Sequence, residues 1–225
     1  MTKDVDIVDA AAASRWVELA AARLKRERDH LTQLDAAIGD ADHGANMDRG
    51  FDAVRGRLAA LEDLTPGALL TEVGRTIVTV VGGASGPLYG SAFIEMGQAL
   101  DAEAEVGPEL LLDGLRAGLA AIQRRGAAVE GDKTIVDAYA PALAAFEAKV
   151  VAGGSLQTAT EAAAAAAADG VRATVPLRAR KGRASYLGPR SVGHQDPGAT
   201  STALIFAALA EVFAEDAGGT GQAPG

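Results

Sequence analysis

Three aspartates stand close together in the segment Leu34-Asp35-Ala36-Ala37-Ile38-Gly39-Asp40-Ala41-Asp42-His43-Gly44-Ala45-Asn46. On a continuous helix Asp40 would point about 140° away from Asp35, and Asp42 would return to that face roughly 10 Å further along. One regular helix therefore cannot gather all three, whereas a helix that ends near Ile38 and turns at Gly39 can. Carboxylates clustered without counter-charge repel one another. A hard divalent cation relieves that repulsion, and an all-oxygen donor set suits Mg²⁺. The plainer reading is that Asp40 or Asp42 merely caps the helix that follows. An EF-hand is excluded, because the loop lacks Gly at its sixth position and Glu at its twelfth.

Three further segments carry unusual chemistry. Gly82-Gly83-Ala84-Ser85-Gly86-Pro87 is glycine-rich and precedes a helix, so its backbone amides can approach an anion; an ordinary helix–helix turn has the same composition. It is not a nucleophile elbow, since Pro87 stands where a second Gly is needed. Gly126 to Thr134 nearly spells a P-loop, but Asp132 is inserted before Lys133 and no strand precedes it. Its plain reading is a helix start capped by Asp132 with Lys133 on the surface. Between Asp169 and Asp196 no acidic residue occurs, while Arg172, Arg178, Arg180, Lys181, Arg183 and Arg190 all do. In a chain of formal charge −9 this is a local reversal, read either as a solvated basic loop or as an anion-binding lid.

The elements that must position these segments are helices. Alanine dominates, aromatics make up 4% of the 225 residues, and no long alternating β-branched run occurs. Breakers divide the chain into about eight helical segments: Asp9 to Ile38, Gly44 to Leu61, Thr65-Pro66 to Gly82, one opening at Ser85, one from Gly107-Pro108 to Gly126, one capped by Asp132 and kinked at Pro141, one over Ala162 to Ala168 after a turn at Gly153-Gly154-Ser155, and one from Asp196-Pro197 to Glu215. Short connections favour an up-and-down antiparallel bundle, in which alternate loops share an end. Loops one, three, five and seven are then the four unusual segments. Loops two, four and six, around Asp63, Val106 and Gly153, are plain. A carboxylate cluster, glycine-rich helix starts and a basic cover at one end are what a magnesium–polyphosphate ligand requires.

The acidic balance argues against general binding to nucleic acid or anionic membranes. The absence of Cys excludes disulfides, thiolate metal sites and Cys nucleophiles. No signal peptide is legible at the N-terminus, and no stretch approaches about 18 consecutive apolar residues, so a soluble cytoplasmic protein is expected. Residues 1–217 are expected to form one helical domain and 218–225 a disordered tail.

The same motifs, with Gly131-Asp132-Lys133-Thr134, Gly182-Arg183-Ala184-Ser185-Tyr186-Leu187-Gly188 and Gly193-His194-Gln195-Asp196-Pro197-Gly198-Ala199, resemble the nucleotide-binding L subunit (DhaL) of dihydroxyacetone kinase over roughly Asp9 to Glu215. The family's usual Gly-Asp-Gly-Asp-His-Gly reads Gly-Asp-Ala-Asp-His-Gly here, with Ala41 as the departure. The resemblance implies an eight-helix antiparallel barrel with the nucleotide at one end. It implies that Asp35, Asp40 and Asp42 bind two Mg²⁺ ions bridged by the phosphates of ADP or ATP. It also implies nucleotide contacts from His43, Asn46, Ala84, Ser85, Gly126, Ile135, Arg183, Asp196, Pro197 and Gly198, with Ile135 as an adenine wall. The implied partner is a K subunit that holds dihydroxyacetone covalently. A free-standing chain favours recharging of bound ADP by a phosphohistidine carrier (M subunit) of the phosphotransferase system over exchange of free ATP. Other readings are a four-carbon ketose kinase subunit using ATP, a non-catalytic ADP-binding regulator of a transcription factor, and a ligand-free helical bundle. The oligomeric state is open, a homodimer included.

Overall fold

The computed structural model describes residues 6–60, 63–100 and 102–218. The expected disordered tail lies, beyond Gly218, outside the described residues. The helices are α1 (Ala10–Arg26), α2 (Arg28–Ile38), α3 (His43–Leu58), α4 (Pro66–Val80), α5 (Ser85–Ala99), α6 (Pro108–Gly126), α7 (Val136–Val151), α8 (Leu156–Ala173) and α9 (Pro197–Gly218), with a 3₁₀ segment at Arg183–Ser191. Among the described residues the only β-type pairing is an isolated bridge between Val8 and Val106.

Each helix from α3 to α9 packs on its predecessor in the chain, and α9 closes the circle by packing on α1, which in turn packs on α3. The expected eight-membered antiparallel barrel is therefore present, with α1 and α2 together forming one stave. The two ends sort as loop parity requires. At the plain end Val8 bonds the α5–α6 connection, and Asp6 accepts the amide of Leu156 at the start of α8.

Local chemistry sets most of the boundaries. Asp9, Thr65, Ser155 and Asp196 each accept the amide three residues on, from Ala12, Ala68, Thr158 and Ala199. Pro66, Pro108 and Pro197 open helices where their missing amide is not needed. Three expectations change. The first stave breaks at Glu27, inside Lys25-Arg26-Glu27-Arg28-Asp29-His30, where no apolar side chain anchors the helix to the core. Asp132 does not cap α7: its carboxylate accepts the Val129 amide, and α7 begins at Val136. The last helix is, by length and mean hydropathy alone, long enough to cross a membrane over Pro197–Ala214, although 61% of that stretch is buried in the barrel.

The core lies along the barrel axis. Trp16 contacts Phe93, which also meets Phe51 edge-on, and Tyr139 meets Phe206 edge-on at 5.0 Å. The indole of Trp16 donates to the Ile205 carbonyl at 2.9 Å, fastening α1 to α9. Small residues bring staves together closely. On α8, Ala159, Ala163 and Ala167 are fully buried at four-residue spacing. Between α4 and α5, a Cβ on Gly74 would stand 2.5 Å from the Gly90 carbonyl oxygen.

Candidate functional site

The four unusual connections meet at the other end of the barrel and enclose an open cavity of about 260 Å³. The carboxylate cluster forms as the spacing requires. α2 stops at Ile38, Gly39 turns the chain, and Ala41 takes a left-handed φ of 64°. One oxygen from each of Asp35, Asp40 and Asp42 then lies within 4.8 Å of the others. Asp35 is buried, and its Oδ2 accepts the amides of Asp42 at 2.9 Å and His43 at 3.2 Å. That carboxylate is locked in place by the first turn of α3. Asp42 stands at the N-cap of α3 but makes no side-chain cap bond, so the capping explanation of the cluster does not hold. Asp40 is half-exposed and pairs with Arg183, whose Nε lies 3.0 Å from Oδ2.

The glycine-rich connection forms the next wall. Gly82, Gly83, Ala84 and Ser85 line the cavity, and no side chain caps the first turn of α5. Its orphan amides stay available to an anion. His43 is buried beneath, with Nδ1 3.1 Å from Ser85 Oγ and Nε2 2.9 Å from Ser201 Oγ. Burial lowers its pKa, against the opposing charges of Asp35 and Asp42. Behind it, Tyr89 Oη lies 2.7 Å from both Ser201 Oγ and Thr202 Oγ1 and donates to the Gly198 carbonyl, joining α5 to the first turn of α9.

In the third connection the amides of Val129, Gly131, Asp132 and Thr134 are taken within the loop and its helix. Asp137 is buried and accepts the amides of Gly131 at 2.6 Å and Thr134 at 2.7 Å. Lys133 is not on the surface but 1% exposed, because its ammonium donates to the carbonyls of Thr174, at 2.7 Å, and His194. Asp196 closes the floor. Burial pushes its carboxyl up to about 7, against the pull of the Ala199 amide it caps.

All the sequence-predicted site residues except Asn46 line this cavity. Asn46 is buried, accepts from Arg49 at 2.7 Å, and lies below the glycine loop, where a Cβ on Gly82 would be 3.3 Å from its Oδ1. Ile38, Leu88, Ile122 and Ala128 join Ile135 as an apolar side that sequence reading missed. Their only signal is position: Ile38, Leu88 and Ile122 lie in the last or first turns of helices next to the site loops, and Ala128 in the connection after α6. Ser201 was missed as well, although it stands in the first turns of α9, beside Gly198.

A family model described as the DAK2 domain matches residues 37–211. The chain is 43% identical, over 87% of its length and 93% of the relative's, to the ADP-binding subunit DhaL of the PEP-dependent dihydroxyacetone kinase of Escherichia coli (strain K12). It is 39% identical to the corresponding subunit of PEP-dependent dihydroxyacetone kinase 1 of Listeria innocua, over 88% of this chain and 93% of that one. Among solved structures, the dihydroxyacetone kinase of C. freundii in complex with AMP-PNP and Mg²⁺ matches with a TM-score of 0.68 and 30% identity, over 94% of this chain and 36% of that longer one.

Proposed function

Because the chain belongs to the DAK2-domain family, we propose that it is the ADP-binding, phosphoryl-donating subunit of a dihydroxyacetone kinase whose phosphate derives from phosphoenolpyruvate. The observation that carries this reading is the convergence of Asp35, Asp40 and Asp42 with the glycine loop and the basic segment on one cavity.

The donor set fits a hard divalent cation: three carboxylates, no sulfur, and a single cationic side chain, Arg183, in an ion pair with them. Asp35, Asp40 and Asp42 would hold Mg²⁺, two ions in this reading, which when bound would neutralise phosphate charge. Asp35 is oriented beforehand by two amides, so its placement needs no reorganisation. The uncapped start of α5 offers amides to phosphate oxygens, and Ser85 is oriented by His43. Arg183, now held by Asp40, is the guanidinium placed to turn to a phosphate when that carboxylate's charge is taken up elsewhere. Ile38, Ile122 and Ile135 give an apolar face for the base.

No histidine of the described residues is free in the cavity for covalent capture of a ketose. His43 is committed at both ring nitrogens, and His30 and His194 are exposed and do not line it. Catalysis then needs a K subunit docked at this end to present the substrate hydroxyl, and a phosphohistidine carrier to recharge ADP. Positioning of that kind supplies most of the rate in phosphoryl transfer. The test measures dihydroxyacetone phosphate formation with and without a K subunit, from ATP or from phosphoenolpyruvate with its carriers. Turnover only with the K subunit and the phosphoenolpyruvate system is expected. Substantial turnover by the isolated chain refutes the split site, and equal turnover from free ATP refutes the carrier route.

A further inference from the structure

Lys133 has a place in the fold that the phosphoryl-donor reading does not use. The two carbonyls that its ammonium holds belong to Thr174, the C-cap of α8, and His194, two residues before the N-cap of α9. These positions bracket the whole basic connection from Val175 to Gly193. The neck between them is tied further by the Gly193 amide on the Val175 carbonyl at 2.8 Å and by the Asp196 amide on Thr174 Oγ1 at 3.0 Å. A third tie runs from the Arg180 amide to the carbonyl of Asp132, the residue before Lys133. Beyond the neck Ser191 accepts the Ala179 amide and donates to the Gly188 carbonyl, and Arg183 pairs with Asp40. Arg178, Arg180, Arg183 and Tyr186 on it are exposed.

Physical chemistry explains why a lysine does this. Thr174 is fully buried and ends a helix, so its carbonyl has no intrahelical donor; it accepts the Leu177 amide at 3.1 Å, and the negative end of the α8 dipole favours a cation as its second partner. The Asp196 and Asp137 charges offset part of the burial penalty on the ammonium. Lys133 also adopts a left-handed φ of 63°, which an L side chain keeps only where surrounding contacts over-determine it.

We propose that Lys133 is a positioning residue, a buried clamp that pins both ends of the basic lid and so sets where Arg183 and Asp196 stand in the cavity. That the lid covers a nucleotide rests on the function proposed above; the clamp itself does not.

The experiment therefore has a ligand-free arm. Lys133→Met keeps the aliphatic stem and removes the donors. Hydrogen exchange at the Arg180 and Gly193 amides should accelerate at least about tenfold, with the interior of α4 and α5 unchanged. In the second arm, Mg²⁺–ADP should dissociate about tenfold faster with little change in association rate. Thr174→Val loosens the same neck from another side, so the double variant should show less than the product of the single effects. Lys133→Gln, with an uncharged donor on a shorter stem, should give an intermediate loss, and it decides the question if the Met variant does not fold. Unchanged exchange at Arg180 and Gly193, or an equal acceleration throughout α4 and α5, overturns the clamp. If the wild-type protein binds no Mg²⁺–ADP, the proposed function fails while the exchange arm still judges Lys133.

Discussion

Replacing Ala41 with Gly should stabilise the protein. Ala41 sits between two aspartates of the cluster at φ 64°, and its side chain is exposed, so losing the methyl group removes almost no buried surface. A left-handed conformation costs an L residue about 1–2 kcal/mol. The greater freedom of Gly in the unfolded chain returns roughly 0.5–1 kcal/mol of that. The net gain is about 1 kcal/mol, or ~2–4 °C in Tm for a chain of this size. Ala127, exposed at the C-cap of α6 with φ 46°, supplies an independent comparison with the same sign. The two shifts should add, since the residues share no partner. Thermal unfolding of both single variants and the double variant, without ligand, reads this out. A rise for Ala127→Gly together with no rise or a fall for Ala41→Gly would refute the turn that gathers the carboxylates.

Three other outcomes follow from the geometry. The Asp196 carboxyl is raised from 3.8 to about 7 in the folded state, so the stability it contributes is present below about pH 4 and lost as pH rises through 7. Asp196→Asn should therefore gain on wild type across that window in denaturant titrations, and a gap that shrinks with rising pH would contradict the burial argument. Arg183→Ala should speed Mg²⁺–ADP dissociation more than Arg172→Ala, because Arg183 faces Asp40 whereas Arg172 pairs with Asp169 on the surface; equal rates in stopped-flow would mean that the lid acts by bulk charge alone. Gly74→Ala forces a methyl group onto the α5 backbone and should cost about 1–3 kcal/mol, read as a lower denaturation midpoint; an unchanged midpoint would show that α4 and α5 separate freely.

The sequence made legible those features that depend on neighbours in the chain. Thr65-Pro66 and Asp196-Pro197 cap helices because capping is decided within four residues. Loop parity located the site because an up-and-down barrel leaves the chain little choice of end. What depends on distant contacts stayed hidden. Asp132 is a plausible cap by spacing, yet α7 starts at Val136 without a side-chain cap, and Asp137 in its first turn instead holds the amides of Gly131 and Thr134 in the preceding connection. Lys133 looked solvated because its acceptors lie 41 and 61 residues further on. The hub that joins Tyr89 to Ser201 spans 112 residues and leaves no local pattern.

The central claim is that the three aspartates and the loops around them form one magnesium–nucleotide site. Calorimetric titration of Mg²⁺–ADP into wild type, Asp40→Ala and Asp42→Ala tests it most directly, with the helical signal followed in parallel. The account predicts tight binding to wild type, which depends on Mg²⁺, and its loss in both variants while the helical signal is retained. Unchanged affinity in both folded variants would contradict it.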